Sequence, residues 1–217
     1  MTHTLHRRGD QKGLSEDYVM LIMPAKGINE DDAQEKLHQI WELLESHKPH
    51  LVNFGNAITG NSHTTDLDTL KKSVNRLIHA VFKDRERLKA CLKEIKERDF
   101  GLSVVLSGLY SDVEKLCAEI GLTPHTVEHS LGIHGNTEKL PAEGVLEITT
   151  MCGHALVSAS LVTHLADRIE SGEMNCKDAS TELSRGCACG IFNPYRAEKL
   201  LKKLVSNPKP ISKGGLK

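Results

Sequence analysis

The stretch YVMLIMP, residues 18–24, is a continuous apolar run that ends at a proline. It is too short for a helix, and a run of this length bounded by a turn residue is typical of a buried β-strand. The segment NEDDAQEKLHQIWELLESH, residues 29–47, then begins with acidic residues and continues with apolar residues at helical spacing. The sequence therefore predicts a buried strand followed by an amphipathic helix.

Three later segments also have strand character. HLVNFGN at 50–56 and LSVVLSG at 102–108 are short and rich in apolar residues, and HTVEHSLGIHG at 125–135 alternates in polarity. In the last segment His129 falls on the apolar face, where a core role is expected, whereas His134 falls on the polar face at the strand end. We therefore expect four or more strands.

The intervening segments have helical character. A long apolar stripe between Asp66 and Arg98 predicts one helix, or two helices that break near Lys83-Asp84. SDVEKLCAEIG at 111–121 predicts a shorter helix. The alternation of strands and helices indicates an α+β or α/β sandwich with long helices on one face, and a ferredoxin-like split βαβ arrangement is a candidate.

The character of the chain changes after about residue 140. VLEITTMC at 145–152 is strand-like, GHALVSASLVTHLADRIESG at 153–172 predicts a helix, and a last helix is expected from Pro194 to Val205. We divide the chain into an irregular His/Arg arm (1–17), an α/β sandwich (18–140), a strand plus helical metal-binding subdomain (141–205) and a disordered tail (206–217).

Composition narrows the class of protein. The 217 residues are 39% hydrophobic and 26% charged with a formal charge of -1, which favours a soluble protein and gives no basic excess for nucleic acid. No apolar run approaches the roughly 20 residues of a membrane span, and the first residues do not resemble a signal peptide. We expect a cytoplasmic protein, in which the six cysteines are thiols, metal ligands or core residues.

The six cysteines fall into two groups. Cys91 and Cys117 lie on apolar helical stripes and are expected in the core, and Cys176 lies in a polar connection as a plain thiol. Cys152 in TTMCGH, and Cys187 and Cys189 in SRGCACGIFNPYRA, instead lie beside glycines at predicted helix starts. Because a helix N-terminus stabilises thiolates, these three are the candidate metal ligands.

Two metal centres fit these thiols. Three thiolates without a fourth cysteine fit a [4Fe-4S] cluster with one iron open to substrate. The alternative is a closed, structural Zn²⁺ site in which His154 joins the three cysteines. The iron-sulfur cluster is the leading hypothesis, and a tight loop whose thiols bind nothing is the third.

The remaining candidates concern substrate and proton transfer. His134 and His154 are the predicted catalytic histidines. Paired arginines suit carboxylate or phosphate, so we expect a small anionic substrate to be bound by residues of the arm and of the last helix. The predicted substrate-binding residues are His3, His6, Arg7, Arg8 and Arg196.

The sequence thus predicts an iron-sulfur enzyme of the hydro-lyase, sulfur-transfer or redox class. The alternative is a non-enzymatic zinc- or cluster-stabilised module that binds a partner or transfers electrons. Nucleic acid and membrane are not expected as partners, while a homo-oligomer or a redox partner protein stays open. Dinucleotide, P-loop, HExxH and GxSxG motifs are absent from the sequence.

Overall fold

A five-stranded antiparallel sheet lies at the centre of this mixed α+β fold. The computed structural model describes residues 6–56, 58–74 and 76–206. The strands are β1 (Tyr18–Met23), β2 (Leu51–Asn56), β3 (Gly60–Asn61), β4 (Ile78–Phe82) and β5 (Ser103–Ser107). Their order is β3-β2-β4-β1-β5, and every neighbouring pair is antiparallel. The predicted strand at 18–24 is therefore confirmed as β1, which pairs on both sides.

Helices cover both faces of this sheet. Those of the described residues are α1 (Gln11–Leu14), α2 (Ala33–Ser46), α3 (Leu67–Lys72), α4 (Arg85–Arg98), α5 (Tyr110–Glu119), α6 (Glu143–Thr149), α7 (Ala159–Glu170), α8 (Cys176–Gly186) and α9 (Pro194–Ser206). None of them is long and apolar enough to cross a bilayer.

Two hydrophobic cores lie on opposite faces of the sheet. Tyr18, Met20 and Ile22 of β1 face the first core, which α2, α3, α4 and α5 cover. Val19 faces the second core, which α6, α7, α8 and α9 cover. Successive strand side chains point to opposite faces, so a strand buried on both faces is apolar at every position. This explains the uninterrupted apolar run at 18–23.

The prediction for residues 66–98 is wrong in its central part. Residues 78–82 form β4, because Ile78, Ala80 and Phe82 pack into the first core while Val81 packs into the second. A strand buried on both faces gives the same apolar pattern as part of a buried helix. The expected break near Lys83-Asp84 is the start of α4, where Asp84 accepts a hydrogen bond from the Arg87 N–H at 2.8 Å.

Two further predictions are corrected by the structure. Residues 125–135 form no strand, and His129 and His134 are both exposed, so His129 is not a core histidine. The strand-like segment at 145–152 is largely helix α6, with Val145 and Ile148 buried in the second core. At 145–152 the apolar spacing fits strand and helix about equally and tertiary contacts decide, whereas the alternating residues 125–135 find no partner strand.

The arm is partly ordered secondary structure rather than irregular throughout. Residues 11–14 form the single helical turn α1, capped by the Asp10 carboxylate, which accepts from the Gly13 N–H at 2.7 Å. His3 and residues 207–217 lie outside the described part of the chain, so the expected tail is not tested.

One glycine brings α8 and α9 against the sheet. Gly190, between these helices, has φ +77°, and a Cβ there would lie 2.8 Å from the Phe54 carbonyl carbon and 2.9 Å from Gly55 N. The backbone of Gly190 packs directly on β2, so there is no room for a side chain at this residue.

We predict that Gly190→Ala lowers the free energy of unfolding by about 3 kcal/mol, from the left-handed backbone and the steric overlap together. Gly172→Ala is the matched control, because Gly172 has φ +80° but no atom within 4 Å of the position that a Cβ would take. It should lose only about 1 kcal/mol. Equal losses in urea unfolding would show that the contact with β2 is unimportant.

Candidate metal centre

Two loops bring the candidate ligands together in the second core. The Cys152 loop (residues 150–157) joins α6 to α7, and the CxC loop (residues 187–193) joins α8 to α9. The three cysteines are buried, with exposed fractions of 2%, 0% and 1% for Cys152, Cys187 and Cys189. Thiols that are far apart in sequence therefore share one environment.

The side chains form a chain of neighbours. Cys187 Sγ lies 4.0 Å from Cys189 Sγ, and Cys189 Sγ lies 3.6 Å from His154 Nδ1. Cys152 and Cys187 also interact, since each changes the pKa of the other. His154 itself is exposed, so the cluster reaches the surface on the imidazole side.

The cluster is not a formed coordination site as it stands. Within residues 6–56, 58–74 and 76–206, no group of three or more His, Cys, Asp or Glu side chains is arranged to hold a metal ion. Metal binding by this cluster would require the side chains to turn toward a common point. Rotation between staggered rotamers supplies such movement without a change of fold.

The local structure around the cysteines differs from the sequence-based expectation. Cys152 does not open a helix, since α7 begins only at Ala159, with Ser158 as its cap. Cys187 caps the C-terminus of α8, which is the negative end of the helix dipole. Only the start of α9 is as predicted, with Asn193 Oδ1 accepting from the Arg196 N–H at 2.9 Å.

Backbone N–H groups, rather than helix dipoles, surround the sulfurs. Hydrogen bonding by backbone N–H groups of the same loop acts to lower the pKa of each cysteine, through Leu156 and Val157 for Cys152, Phe192 for Cys187, and Ile191 for Cys189. Hydrogen bonds of this kind stabilise the charged thiolate more than the neutral thiol.

The three thiols also shift the pKa values of one another. The hydrogen bond with Cys187 and then burial raise the pKa of Cys152. The contact with Cys152 lowers the pKa of Cys187, but the hydrogen bond to Cys189 and burial outweigh it and raise that pKa to about 11. The same bond from Cys187 lowers the pKa of Cys189 despite burial. The three thiols therefore titrate as a coupled group and not independently.

Two buried asparagines fasten the CxC loop to the sheet. Asn53 of β2 donates to Ser184 Oγ at 3.0 Å and to the Phe192 carbonyl at 2.9 Å. Asn61 of β3 donates to the carbonyl of Cys187 at 2.8 Å. These bonds satisfy buried carbonyl groups at the end of α8 and in the loop. The polar residue within the apolar run LVNFGN was the sequence signal that could have indicated Asn53.

The chain matches no known protein family, no curated protein and no solved structure. The candidate site therefore stands on its own geometry.

Two of the predicted substrate-binding arginines have other partners. Arg7 and Arg196 both bind the buried carboxylate of Asp17, with Arg196 Nη1 at 2.9 Å from Oδ2. Arg7 also donates to the carbonyls of Met151 and Ile191. These guanidinium groups are thus engaged within the protein, an arrangement that favours a structural role.

The other predicted residues are scattered. Arg8 forms an exposed bidentate pair with Glu143 at 2.8 and 2.7 Å. His6 Nδ1 lies 2.9 Å from Ser130 Oγ. His134 Nε2 lies 3.2 Å from the Leu131 carbonyl on the exposed 123–136 segment. Of these, only His6 contributes to a cavity beside the cysteines.

That cavity has a volume of about 330 Å³. Cys152, Gly153, Thr150, Ser158 and His6 are among its lining residues. A second cavity of similar volume, beside His63 and β2, includes none of the cysteines. Of these two cavities, the one beside Cys152 is therefore the one that could admit a small molecule to the thiol cluster.

Sequence patterns gave no indication of the buried carboxylate of Asp17, because an Asp before an apolar strand has no motif. Burial alone would raise the pKa of Asp17, but Arg7, Arg196 and the hydrogen bond from Asn193 outweigh it and hold the pKa below its usual value. The ion cluster therefore stabilises the fold at neutral pH.

We predict that Asp17→Asn lowers the free energy of unfolding at pH 7 by about 3–5 kcal/mol, because two buried cations lose their partner. In the wild type this stabilisation is present above the unfolded pKa of about 3.9 and is lost as the pH falls through the lower folded pKa. The acid decline of stability should therefore be shallower in Asp17→Asn. Urea unfolding from pH 7 to pH 2 tests both points, and equal stability at pH 7 would contradict the account.

Proposed function

We propose that this chain is a metalloprotein whose centre is held by Cys152, Cys187 and Cys189, with His154 as the fourth ligand. The observation that carries the proposal is the environment of the three sulfurs, which are buried, lie beside one another and beside His154, and face backbone N–H groups that act to lower their pKa. Neutral buried thiols have no need of so many donors. Thiolates bound to a metal do, because the donors offset charge in a region without water.

The spacing of the donors favours a single metal ion. Tetrahedral zinc with Zn–S of about 2.3 Å and Zn–N of about 2.0 Å places sulfurs about 3.8 Å apart and sulfur and nitrogen about 3.5 Å apart. The separations of 4.0 Å between Cys187 and Cys189 and 3.6 Å between Cys189 and His154 are close to these values. In an iron-sulfur cluster the thiolates bind different irons and stand further apart.

The second candidate is the iron-sulfur enzyme, with a [4Fe-4S] cluster on the three cysteines and a small anionic substrate at the open iron. It is favoured by the cavity of about 330 Å³ beside Cys152 and by the exposure of His154, which could yield its position. His154 beside Cys189 and His6 at the cavity would then be the groups for proton transfer. A catalytic role for His134 remains a prediction.

We also propose the finer fold assignment. The order β2-β4-β1-β5, with a helix between β1 and β2 and another between β4 and β5, supports the ferredoxin-like split βαβ arrangement. The second core supports a helical metal-binding subdomain formed by α6, α7, α8 and α9.

We predict that protein purified without oxygen contains about one tetrahedral metal ion per chain. Cys187→Ser and Cys189→Ser should lose the metal, because a hydroxyl is a poor ligand for zinc or iron in a thiolate site. Elemental analysis for zinc, iron and sulfide, with the absorption spectrum, gives the measurement.

Two control variants separate metal loss from unfolding. Cys91→Ser places a hydroxyl in the first core, and Cys176→Ser changes a half-buried thiol, so both should keep the metal. Colourless protein with zinc supports the first candidate, and brown protein with iron and sulfide supports the second. Absence of any metal would overturn both, and equal metal loss from Cys91→Ser would refute the ligand assignment.

A further inference from the structure

We propose that Arg7 is a positioning residue that joins the two cysteine loops, so that docking of the arm (residues 6–17) and metal binding are coupled. The inference rests on the proposed function, because it concerns the same three cysteines. It assigns the arm a role other than substrate binding.

The contacts of one guanidinium group carry the inference. Arg7 Nη2 donates to the carbonyl of Met151, at 3.2 Å, and to the carbonyl of Ile191. Met151 immediately precedes Cys152, and Ile191 follows Cys189 by two residues. A single side chain therefore bridges the Cys152 loop and the CxC loop.

The carboxylate of Asp17 orients this bridge from the other side. Arg7 Nη1 binds Asp17 Oδ1, and the side chains of Arg7 and Asp17 are 6% and 0% exposed. Asn193, at the end of the CxC loop, donates to the same oxygen at 3.0 Å. The guanidinium plane is thus fixed by partners on both edges, which a flexible ammonium group cannot reproduce.

Ile191 connects the bridge to the backbone beside a cysteine. Its carbonyl accepts from Arg7, and it lies two residues after Cys189 in the CxC loop. Movement of the arm would therefore move the backbone that surrounds the candidate thiolate. Groups that support ligands in this way typically change metal affinity by about 10–100-fold when mutated.

Coupling between two binding events is reciprocal. If the docked arm raises the affinity for the metal by slowing its release, then bound metal must favour the docked arm by the same free energy. Hydrogen exchange of residues 6–17 should therefore be slower in the metal-bound protein. Arg8 provides the internal contrast, because it lies next to Arg7 but its side chain binds the exposed Glu143, while its N–H donates to Thr150 and its carbonyl accepts from Arg196.

The test compares Arg7→Lys and Arg7→Met with the matched control Arg8→Lys in the full chain loaded with Zn²⁺. Arg7→Met can unfold the protein, because it removes the positive charge beside Asp17. Arg7→Lys keeps that charge, so it should fold and allows the test in either case. We expect Arg7→Lys to release Zn²⁺ to a coloured chelator about tenfold faster than the wild type, and Arg8→Lys to remain within about twofold. Removal of Zn²⁺ from the wild type should speed exchange of the arm amides by about tenfold.

The two proposals fail in different measurements. Wild-type protein that retains no Zn²⁺ at all after reconstitution overturns the metal centre, and the coupling with it. If the wild type holds Zn²⁺, but the wild type, Arg7→Lys and Arg8→Lys all release it at the same rate, only the role of Arg7 is overturned. Hydrogen exchange of the arm amides that is unchanged by Zn²⁺ would also overturn the role of Arg7. If Arg7 had a purely structural role, its substitution would lower the stability of the protein equally with and without metal.

Discussion

The buried carboxylate of Asp17 joins the arm and the start of β1 to the last helix, α9, which is far along the chain. It lies directly before β1, the strand that pairs with both β4 and β5, and it binds Arg7 of the arm and Arg196 of α9. An unpaired charge at this depth would be costly, so the carboxylate and its partners must be buried together. The arm, the sheet and the last helix are therefore fixed relative to one another by one ionic cluster.

The cysteine cluster depends on the same arrangement. The CxC loop is held to β2 and β3 by Asn53 and Asn61, and the close approach of Gly190 leaves no room for side chains between loop and sheet. The Cys152 loop reaches the same place through α6, which packs in the second core. Neither loop has a regular element at its cysteines, so their positions follow from tertiary hydrogen bonds rather than from local helix formation.

Sequence patterns predicted the helix α2, which buries one clear face, and the isolated apolar run of β1, but they failed for β4 and for residues 125–135. Helix α2 follows from the 3.6-residue period of Leu37, Ile40 and Leu44, whereas β4 was mistaken for helix because residues 78–82 are buried on both faces. Residues 125–135 alternate in polarity but find no partner strand. The three cysteines were selected by their glycines, while the helix-start reasoning applied only to α9. Asn53 was indicated only as a polar residue within an apolar run, and Asp17 and Asn61 had no signal, because a polar residue in or beside a strand shows its partners only when the fold is assembled.

The central claim is that three thiolates and one imidazole bind one metal ion in the second core. X-ray absorption at the metal edge, on protein purified without oxygen, tests it most directly because it reports the atoms around the metal. The account predicts a single metal with three sulfur neighbours at about 2.3 Å and one nitrogen neighbour at about 2.0 Å. A spectrum with nitrogen and oxygen neighbours only, or with a second metal at short range, would contradict it.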